Sequence, residues 1–370
     1  DETLLMGPYL MHTTTDSAVV MWRTETPCEG EVHSGAAADD LSETATAVGA
    51  QLVQELTLTG LEAGGRVFYQ VSACGQQTEV LDFYAAPEPG GALRFTVVGD
   101  SQDNPAQMTA TVAAMLQRGP MLALHVGDTV GDGSVEEQWV EQFFGPLRPL
   151  GHHVPTYVAI GNHEKNDPSF FELVSYPQSV PGEPGAESTY SFTFGNAFFL
   201  VVDTNQLFHD IELGGSEVIE TPISHWIKAE LETDAARTAM WRFALGHEPA
   251  ITESWSPGGC DGYDGNDHVR DWLFPLLSSH RFHGYFSGHT HAYERGMLDG
   301  VLHVITGGGG GGLDEWCRDV PETDVVELVH HYLEVEADCA GVTLTAYRTD
   351  DDQVIDRVQL DPARPGEIVQ

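Results

Sequence analysis

Lysine is nearly absent from this sequence of 370 residues, which contains only Lys165 and Lys228. With arginine included there are 16 basic residues against 57 acidic ones, and the formal net charge is −41. A surface this acidic repels nucleic-acid backbones and anionic lipid headgroups, so it argues against a protein that binds nucleic-acid duplexes. It also predicts a salty or extracellular environment, where dissolved ions screen the self-repulsion within about 10 Å.

Long apolar runs are also missing, since no segment approaches the roughly 20 residues that a membrane-spanning helix needs. The longest such run, from Ala197 to Val202, is typical of a buried strand. The chain begins at Asp1 without Met or a basic and then apolar leader, as a mature protein does after removal of its signal peptide. We therefore predict a secreted protein, either extracellular or periplasmic.

Residues 1–88 have the pattern of a small all-β domain. Short alternating stretches at 18–22, 54–59, 67–73 and 80–84 are separated by turn-forming segments, which is typical of a β-sandwich. The run from Leu56 to Leu61 resembles the E–F corner of a fibronectin type III domain, although such domains usually carry Tyr where Val67 stands. The Pro- and Gly-rich segment at 87–91 predicts a linker to the next domain.

From residue 92 the pattern changes to alternating strands and helices, and we assign residues 92–362 to a second domain and 363–370 to a C-terminal tail. Strands at 94–98, 121–126 and 156–160 are separated by helical stretches at 105–116 and 135–144. In α/β domains of this kind, ligands bind beyond the carboxyl ends of the strands. Further strands are predicted at 191–194, 198–202, 242–245, 282–286, 332–337, 342–347 and 354–360.

Polar residues capable of binding metals cluster in five short motifs, three of which directly follow predicted strands. The motifs are Gly99-Asp100-Ser101-Gln102, Gly127-Asp128, Gly161-Asn162-His163-Glu164, Leu245-Gly246-His247 and Gly288-His289-Thr290-His291. Carboxylate, amide and imidazole ligands together suit Mn, Fe or Zn. Two such ions about 3.5–4 Å apart can hold the attacking and departing oxygens of a displacement at phosphorus. They would also supply the positive charge that this acidic chain lacks.

In this order the motifs resemble those of the calcineurin-like metallophosphoesterase superfamily. The run from Gly288 to Arg295 and the β-sandwich in front are most similar to its purple acid phosphatase branch. The resemblance implies an α/β (α+β) fold, a four-layer β-sandwich flanked by helices, preceded by a small all-β domain. It further implies a phosphate-ester hydrolase with two divalent or trivalent metal ions (Mn, Fe or Zn), in which a metal-bound hydroxide attacks phosphorus in line.

The resemblance also assigns roles to individual residues. It divides the metal ligands into Asp100 and His291 for the first ion, Asp128 bridging both ions, and Asn162, His247 and His289 for the second. His163 would be the catalytic residue beside the leaving group, as proton donor or charge stabiliser. His163 and Asn162 would both contact the substrate.

Two positions depart from the family pattern around the first ion. Purple acid phosphatases carry a Tyr ligand three residues after the bridging Asp, where this chain has Gly131. Other members of the superfamily carry a His two residues after the first Asp, where this chain has Gln102. Gln102 could supply an amide oxygen to the metal, which is a weaker ligand than imidazole. We therefore expect a protein that is not purple.

Each of these residues also has an ordinary structural explanation. Asp100 and Asp128 could cap the helices that follow their strands, and His247 could be an ordinary loop histidine. Together, the five motifs favour the metal site. We interpret His125, inside an apolar strand, as a core histidine, and Glu164 as an acceptor that orients an imidazole.

Three functions remain open from the sequence. The first is a phosphomonoesterase acting on a small-molecule phosphate ester. The second is a phosphodiesterase acting on nucleotide or lipid headgroup diesters, because the loop from Glu248 to Asp267 offers no Arg or Lys to hold a monoester dianion. The third is a non-catalytic surface protein that binds a partner.

The five cysteines form no Cys-x-x-Cys pair, which argues against a metal site built on them. In a fibronectin-like sandwich the third and sixth strands are antiparallel neighbours. Cys28 just before the third strand and Cys74 at the end of the sixth would then come within the ~4.4–6.8 Å between Cα atoms that a disulfide requires. Cys260 and Cys317, in loops expected at the rim of the metal site, form a second predicted pair, which leaves Cys339 free.

Overall fold

The computed structural model describes residues 4–183, 186–205, 221–361 and 364–369. The first eight strands form two antiparallel sheets, one in the order β1-β2-β5 and the other in the order β4-β3-β6-β7, with β8 paired to β6. Their bounds are β1 Leu4–Thr13, β2 Ser17–Cys28, β3 Gly30–Gly35, β4 Glu43–Thr46, β5 Gln51–Thr59, β6 Arg66–Ala73, β7 Gln76–Gln77 and β8 Leu81–Tyr84. Trp22 and Tyr69 are fully buried between these sheets, so the front of the chain is an all-β sandwich, as predicted.

The remaining strands form two seven-stranded sheets, in the orders β11-β10-β9-β19-β20-β21-β22 and β12-β13-β14-β15-β17-β16-β18. Their bounds are β9 Leu93–Val98, β10 Leu122–His125, β11 Thr156–Val158, β12 Tyr190–Phe194, β13 Ala197–Val201, β14 Trp241–Leu245, β15 Gly284–Ser287, β16 Tyr293–Leu298, β17 Val301–Thr306, β18 Thr323–Glu327, β19 His331–Ala337, β20 Val342–Arg348, β21 Val354–Asp361 and β22 Arg364–Ile368. Residues 364–368, assigned to a tail from the sequence, thus form an edge strand on β21.

Short helices cover the outer faces of the two large sheets. They are α1 Pro105–Gln117, α2 Glu136–Gln138, α3 Gly145–Gly151, α4 Pro168–Leu173, α5 Pro222–Glu230, α6 Asp234–Thr238 and α7 Phe274–Ser279, with π-helical turns at Trp139–Phe144 and Val269–Leu273. The helix predicted at 135–144 is therefore largely π-helical. Among the residues that the structure describes, no helix is long and apolar enough to cross a membrane.

Aromatic side chains pack the two large sheets face to face. The ring of Phe95 on β9 lies 5.4 Å from Phe199 on β13, 5.5 Å from Phe243 on β14 and 6.2 Å from Phe286 on β15, all between ring centroids. Edge-to-face contacts of this kind add about 0.5–1.5 kcal/mol each to the stabilisation from burial. The resulting sandwich of two sheets with helices outside matches the predicted fold class.

The parallel strands place the predicted ligand motifs at one end of this sandwich. Strands β9, β10 and β11 run parallel in the first sheet, and β13, β14 and β15 run parallel in the second. The carboxyl ends of neighbouring parallel strands meet at one edge of a sheet. The loops after β9, β10 and β11 therefore lie side by side, as do the loops after β14 and β15.

Strand β1, which the sequence did not predict, joins the front sandwich to the rest of the chain. Tyr9 packs its ring 4.4 Å from that of Phe144, and its hydroxyl donates to the carbonyl of Leu173 at 2.9 Å. The backbone N–H of Thr13 donates to the Tyr157 hydroxyl at 3.1 Å. One face of the front sandwich therefore contributes to the core of the large sheets.

Both predicted disulfides are present. Cys28 and Cys74 lie 5.4 Å apart between Cα atoms, because Gly30 on β3 pairs with Ala73 on β6. Cys260 and Cys317 lie 5.2 Å apart, and Cys339 is a free, exposed thiol.

Candidate metal centre

Three candidate ligands lie within three residues of the ends of central strands. Asp100 follows β9 by two residues, Asp128 follows β10 by three, and His289 follows β15 by two. All three adopt the left-handed backbone conformation, with φ of 55°, 53° and 66°. This conformation costs a residue other than Gly about 1–3 kcal/mol and persists only where surrounding contacts hold it, often at functional sites.

Four of the predicted ligands converge on one point. His247 Nε2 lies 3.2 Å from Asp128 Oδ2, 3.0 Å from Asn162 Oδ1 and 3.2 Å from His289 Nδ1. His289 Nδ1 lies 2.9 Å from the same Asn162 oxygen. Atoms bound to one ion at roughly 2.0–2.2 Å lie about 3 Å from one another, so this spacing fits a metal-binding set.

A second group of predicted ligands lies beside the first. His291 Nε2 is 3.5 Å from Asp100 Oδ1 and 3.2 Å from Gln102 Nε2. The two groups are connected because the backbone N–H of His289 donates to both Asp100 oxygens, at 2.9 and 3.1 Å. The Oε1 atom of Gln102 is buried without a hydrogen-bond partner. A buried oxygen with no donor is costly, and a cation at this point would satisfy it.

The hydrogen bonds of the imidazoles fix which nitrogen each presents to the site. His247 Nδ1 donates to the carbonyl of Val126 at 2.9 Å, and His291 Nδ1 donates to that of Gly312 at 2.6 Å. Their Nε2 atoms are therefore directed at the carboxylates. Backbone partners of this kind commonly orient metal-binding histidines.

The charged side chains of the site strongly shift one another's pKa values. Burial lowers the pKa of His247, but the charge and hydrogen bond of Asp128, with smaller contributions from Asp100 and the Val126 carbonyl, raise it to about 10. Burial also lowers the pKa of His291, but the hydrogen bond and charge of Asp100, together with the Gly312 carbonyl and Asp314, raise it to about 9. Burial and the neighbouring His247 lower the pKa of His289 to about 3. Burial raises the pKa of Asp128, but the charge and hydrogen bond of His247 together with those of His163 outweigh it and hold that pKa well below its usual range. A metal ion bound at this point would therefore compete with protons on His247 and His291.

His163 lies at the edge of the ligand group. Its backbone N–H donates to Asp128 Oδ1 at 2.8 Å, and its Nδ1 donates to the carbonyl of Gly131 at 2.7 Å. The side chain is 39% exposed, with Nε2 3.9 Å from Asp128 Oδ2. Its second nitrogen is therefore available to a group that approaches from solvent.

Glu164 holds the ligand loops together, and the prediction that it orients an imidazole is wrong. Its carboxylate accepts from the backbone N–H groups of Gly161 at 2.6 Å, Asp128 at 3.1 Å and Thr129 at 2.6 Å, and from the Thr129 hydroxyl at 2.7 Å. The loops after β10 and β11 are therefore fastened to one fully buried carboxylate.

The glycine run at 307–312 packs against the ligand residues. A Cβ on Gly307 would lie 2.1 Å from the Thr290 carbonyl oxygen and 2.8 Å from Asp100 Oδ2. A Cβ on Gly311 would lie 2.6 Å from the His291 ring. Because these glycines have no side chains, the backbone of the run can lie close to the ligand loops.

Polar side chains lie close to Gly131, at the position of the family tyrosine. A Cβ at this position would lie 2.4 Å from Asp103 Oδ1 and 3.2 Å from Gln138 Oε1. The backbone N–H of Gly131 donates to Gln142 Oε1 at 2.9 Å. Polar side chains thus fill the region that a larger residue would enter.

Other residues considered in the sequence take supporting positions. His125 is buried, lies 3.0 Å from the Ser101 hydroxyl and packs on Phe143, in agreement with a core histidine. Sequence reasoning missed Asp314, whose carboxylate accepts from the backbone N–H of His291 at 2.8 Å. No motif surrounds Asp314, so only the fold reveals this contact.

Comparison with known families divides the chain into two matched regions. Residues 93–293, more than half of the chain, match the Calcineurin-like phosphoesterase family model. Residues 1–87 match the model of a Domain of unknown function (DUF7800).

Curated relatives are identical to this chain at about a quarter of the positions in the aligned segments. A protein of Arabidopsis thaliana named Probable inactive purple acid phosphatase 24 is 26% identical over 241 residues, covering 55% of this chain and 37% of that protein. A Nucleotide pyrophosphatase/phosphodiesterase of Hordeum vulgare is 25% identical over 235 residues, covering 55% of this chain and 61% of that protein. The chain thus spans little more than a third of the first relative.

The fold is also found in a solved structure. A purple acid phosphatase from seeds of yellow lupin (Lupinus luteus) superposes with a TM-score of 0.78 at 18% identity, covering 96% of this chain and 74% of that one. At this identity the likeness shows the fold alone.

Proposed function

The chain belongs to the calcineurin-like phosphoesterase family, and on that premise we propose that it is a metal-dependent hydrolase of small phosphate esters. The convergence of Asp128, Asn162 and His289 on Nε2 of His247, each with a ligand atom 3.0–3.2 Å from it, carries this proposal. These four residues would hold one ion, with Asp128 shared. Asp100, His291 and the amide oxygen of Gln102 would hold the other.

Bound at these positions, two ions would polarise the phosphoryl oxygens and acidify a water molecule at neutral pH. The protein's own contribution is to orient the ligands and to place His163 at the edge of the site. With Nδ1 bonded to the Gly131 carbonyl, His163 presents Nε2 to the ester oxygen of a substrate, where it would donate a proton to the leaving group. Asn162, whose Oδ1 lies beside His247 and His289, would contact the phosphoryl group.

A phosphomonoesterase is the first form of this proposal, and a phosphodiesterase is the second. The diester is favoured by the charge around the site, since a monoester dianion requires more positive charge than a diester monoanion. Lys165 is paired with Asp132 at 2.6 Å, Arg270 with Asp267 at 2.5 Å and Arg318 with Asp264 at 3.6 Å. These neighbouring cations are thus already neutralised by carboxylates.

A non-catalytic protein is the third possibility, in keeping with the name of the Arabidopsis relative. The convergence of Asp128, Asn162, His247 and His289 argues against it here. The two disulfides support the further proposal that the protein works in an oxidising compartment, outside the cytoplasm.

Metal analysis combined with two substrates tests the proposal. We expect two equivalents of transition metal in the purified protein and hydrolysis of both nitrophenyl phosphate and bis(nitrophenyl) phosphate, with the rate ratio deciding between monoester and diester. Asp128→Ala should abolish both activities and lower the metal content. A metal-replete protein that hydrolyses neither ester would leave only the non-catalytic function.

A further inference from the structure

Two aromatic residues of the loop after β14 stand against the candidate metal centre. The ring of Trp255 lies 5.1 Å from that of His289, and the ring of Tyr263 lies 4.9 Å from it, between centroids. Trp255 and Tyr263 are 4.7 Å apart and both are partly exposed. They form an aromatic wall that continues from a metal-binding imidazole toward solvent.

This wall is held in place by several independent contacts. The Cys260–Cys317 disulfide joins the loop that carries Trp255 and Tyr263 to the segment after the glycine run. The backbone N–H of Trp255 donates to the Glu315 carbonyl at 2.9 Å, and its indole N–H donates to the Pro257 carbonyl at 2.6 Å. A rigid aromatic surface loses little entropy when a ligand binds, which favours it as a recognition element.

The charge beside the wall restricts what can bind to it. Asp261, Asp264 and Asp267 are exposed on the same loop, and the nearby Arg318 is paired with Asp264. A second phosphate at this position would meet an excess of negative charge. An uncharged flat ring would instead gain stacking on the Trp255 and Tyr263 rings.

We propose that Trp255 and Tyr263 form the subsite for the organic group of the ester, and that this group carries an uncharged flat aromatic ring. The inference rests on the proposed function and narrows its substrate class to aryl or nucleobase-bearing esters. Stacking of a base on an aromatic side chain contributes to binding without requiring a charge. A ring should therefore improve binding by roughly 10- to 100-fold over a ligand that lacks it.

Binding of phosphonates to the Mn²⁺-loaded protein tests this subsite, because their P–C bond is not hydrolysed. Calorimetry would compare phenylphosphonate with methylphosphonate, and the phosphonate analogue of adenosine monophosphate with its counterpart lacking the base. We define the ring advantage as the ratio of the affinity of the ligand with a ring to that of its counterpart without one. We expect this ratio to be at least ten in one pair or both. The pair that shows the larger advantage identifies the ring as aryl or nucleobase.

Substitutions assign the ring advantage to the wall. Trp255→Leu should reduce it to about one, while Trp255→Phe should retain most of it. Trp316→Leu is the matched control, because Trp316 is a half-exposed tryptophan on the loop at the other end of the same disulfide, and it should leave the advantage intact. Thermal unfolding midpoints would verify that each variant is folded.

The failures of the subsite and of the proposed function are distinguishable. Binding of all four phosphonates with no preference for a ring, or a preference that survives in Trp255→Leu, would overturn the subsite alone. No binding of any phosphonate to the metal-loaded protein would contradict the phosphoesterase function and the subsite together.

Discussion

Glu164 offers a sharp test of how the ligand loops are held, through the isosteric change Glu164→Gln. The carboxylate is fully buried and accepts four hydrogen bonds, two at each oxygen. Glutamine keeps one acceptor oxygen and turns an NH₂ group toward the other two donors. Leaving two buried donors unsatisfied costs about 2–6 kcal/mol, at about 1–3 kcal/mol each.

The change also removes a buried negative charge next to Asp128. The pKa of Glu164 is raised, by burial first and by the Asp128 carboxylate second, so part of the cost is offset. We therefore expect the free energy of unfolding to fall by about 2–4 kcal/mol. Because the loops of Asp128 and Asn162 lose their common anchor, metal affinity should fall by roughly 10- to 100-fold.

Glu294→Gln is the matched control. Glu294 is another buried carboxylate, accepting from the Thr252 hydroxyl and from the backbone N–H groups of Glu253 and Ser254, each at 2.9 Å. It fastens the loop that leads to Trp255 rather than the ligand loops. Urea unfolding should show a comparable loss of stability, while competition with a chelator should show unchanged metal affinity. Equal losses of metal affinity in both variants, or none in Glu164→Gln, would refute the anchoring role.

Four further predictions concern the site. His163→Ala should retain the metals and lose a factor of about 10²–10⁴ in rate, less for esters with good leaving groups; equal losses on nitrophenyl and alkyl esters would exclude proton donation. Gln102→His should increase the affinity for the first metal ion in titrations of the apo-protein, since imidazole is the better ligand. An unchanged affinity would mean that Gln102 is not a ligand. With Gly131 in place of the family tyrosine, the absorption spectrum should lack a visible charge-transfer band, so a purple preparation would contradict this ligand set. Because the pKa values of His247 and His291 are raised to about 10 and 9, both would carry protons at pH 7 that the metal must displace; affinity should rise with pH up to about 10, and calorimetry in buffers of different ionisation enthalpy should detect the released protons.

The candidate ligands could be predicted because each belongs to a short local pattern. A buried strand that ends in Gly followed by Asp or Asn identifies Asp100, Asp128 and Asn162 without knowledge of the fold. Parallel pairing then brings these strand ends together. The disulfide between Cys28 and Cys74 was predictable for the same reason, since antiparallel pairing of β3 and β6 fixes the positions of their ends.

The features that were missed depend on contacts between distant segments. Strand β1 was not predicted, and its apolar residues Tyr9 and Met11 pack into the core of the large sheets more than 100 positions away. The role of Glu164 depends on which backbone N–H groups the fold brings to it. Trp255 reaches His289 because its loop is joined to the segment after the glycine run, a contact that no local pattern reveals.

The acidic composition and the proposed chemistry are compatible for an electrostatic reason. A net charge of −41 produces a field that repels a phosphate ester, and the basic residues Lys165, Arg270 and Arg318 near the site are paired with carboxylates. Among the described residues, Asp128, His247 and His289 are the only set of three or more histidines, cysteines or carboxylates whose ligand atoms all lie within 4.8 Å of one another. The positive charge that attracts the substrate must therefore come from bound ions inside the negative shell, where low dielectric strengthens their effect. Salt screens the exposed shell far more than the buried centre, so a saline environment reduces the repulsion and leaves the attraction.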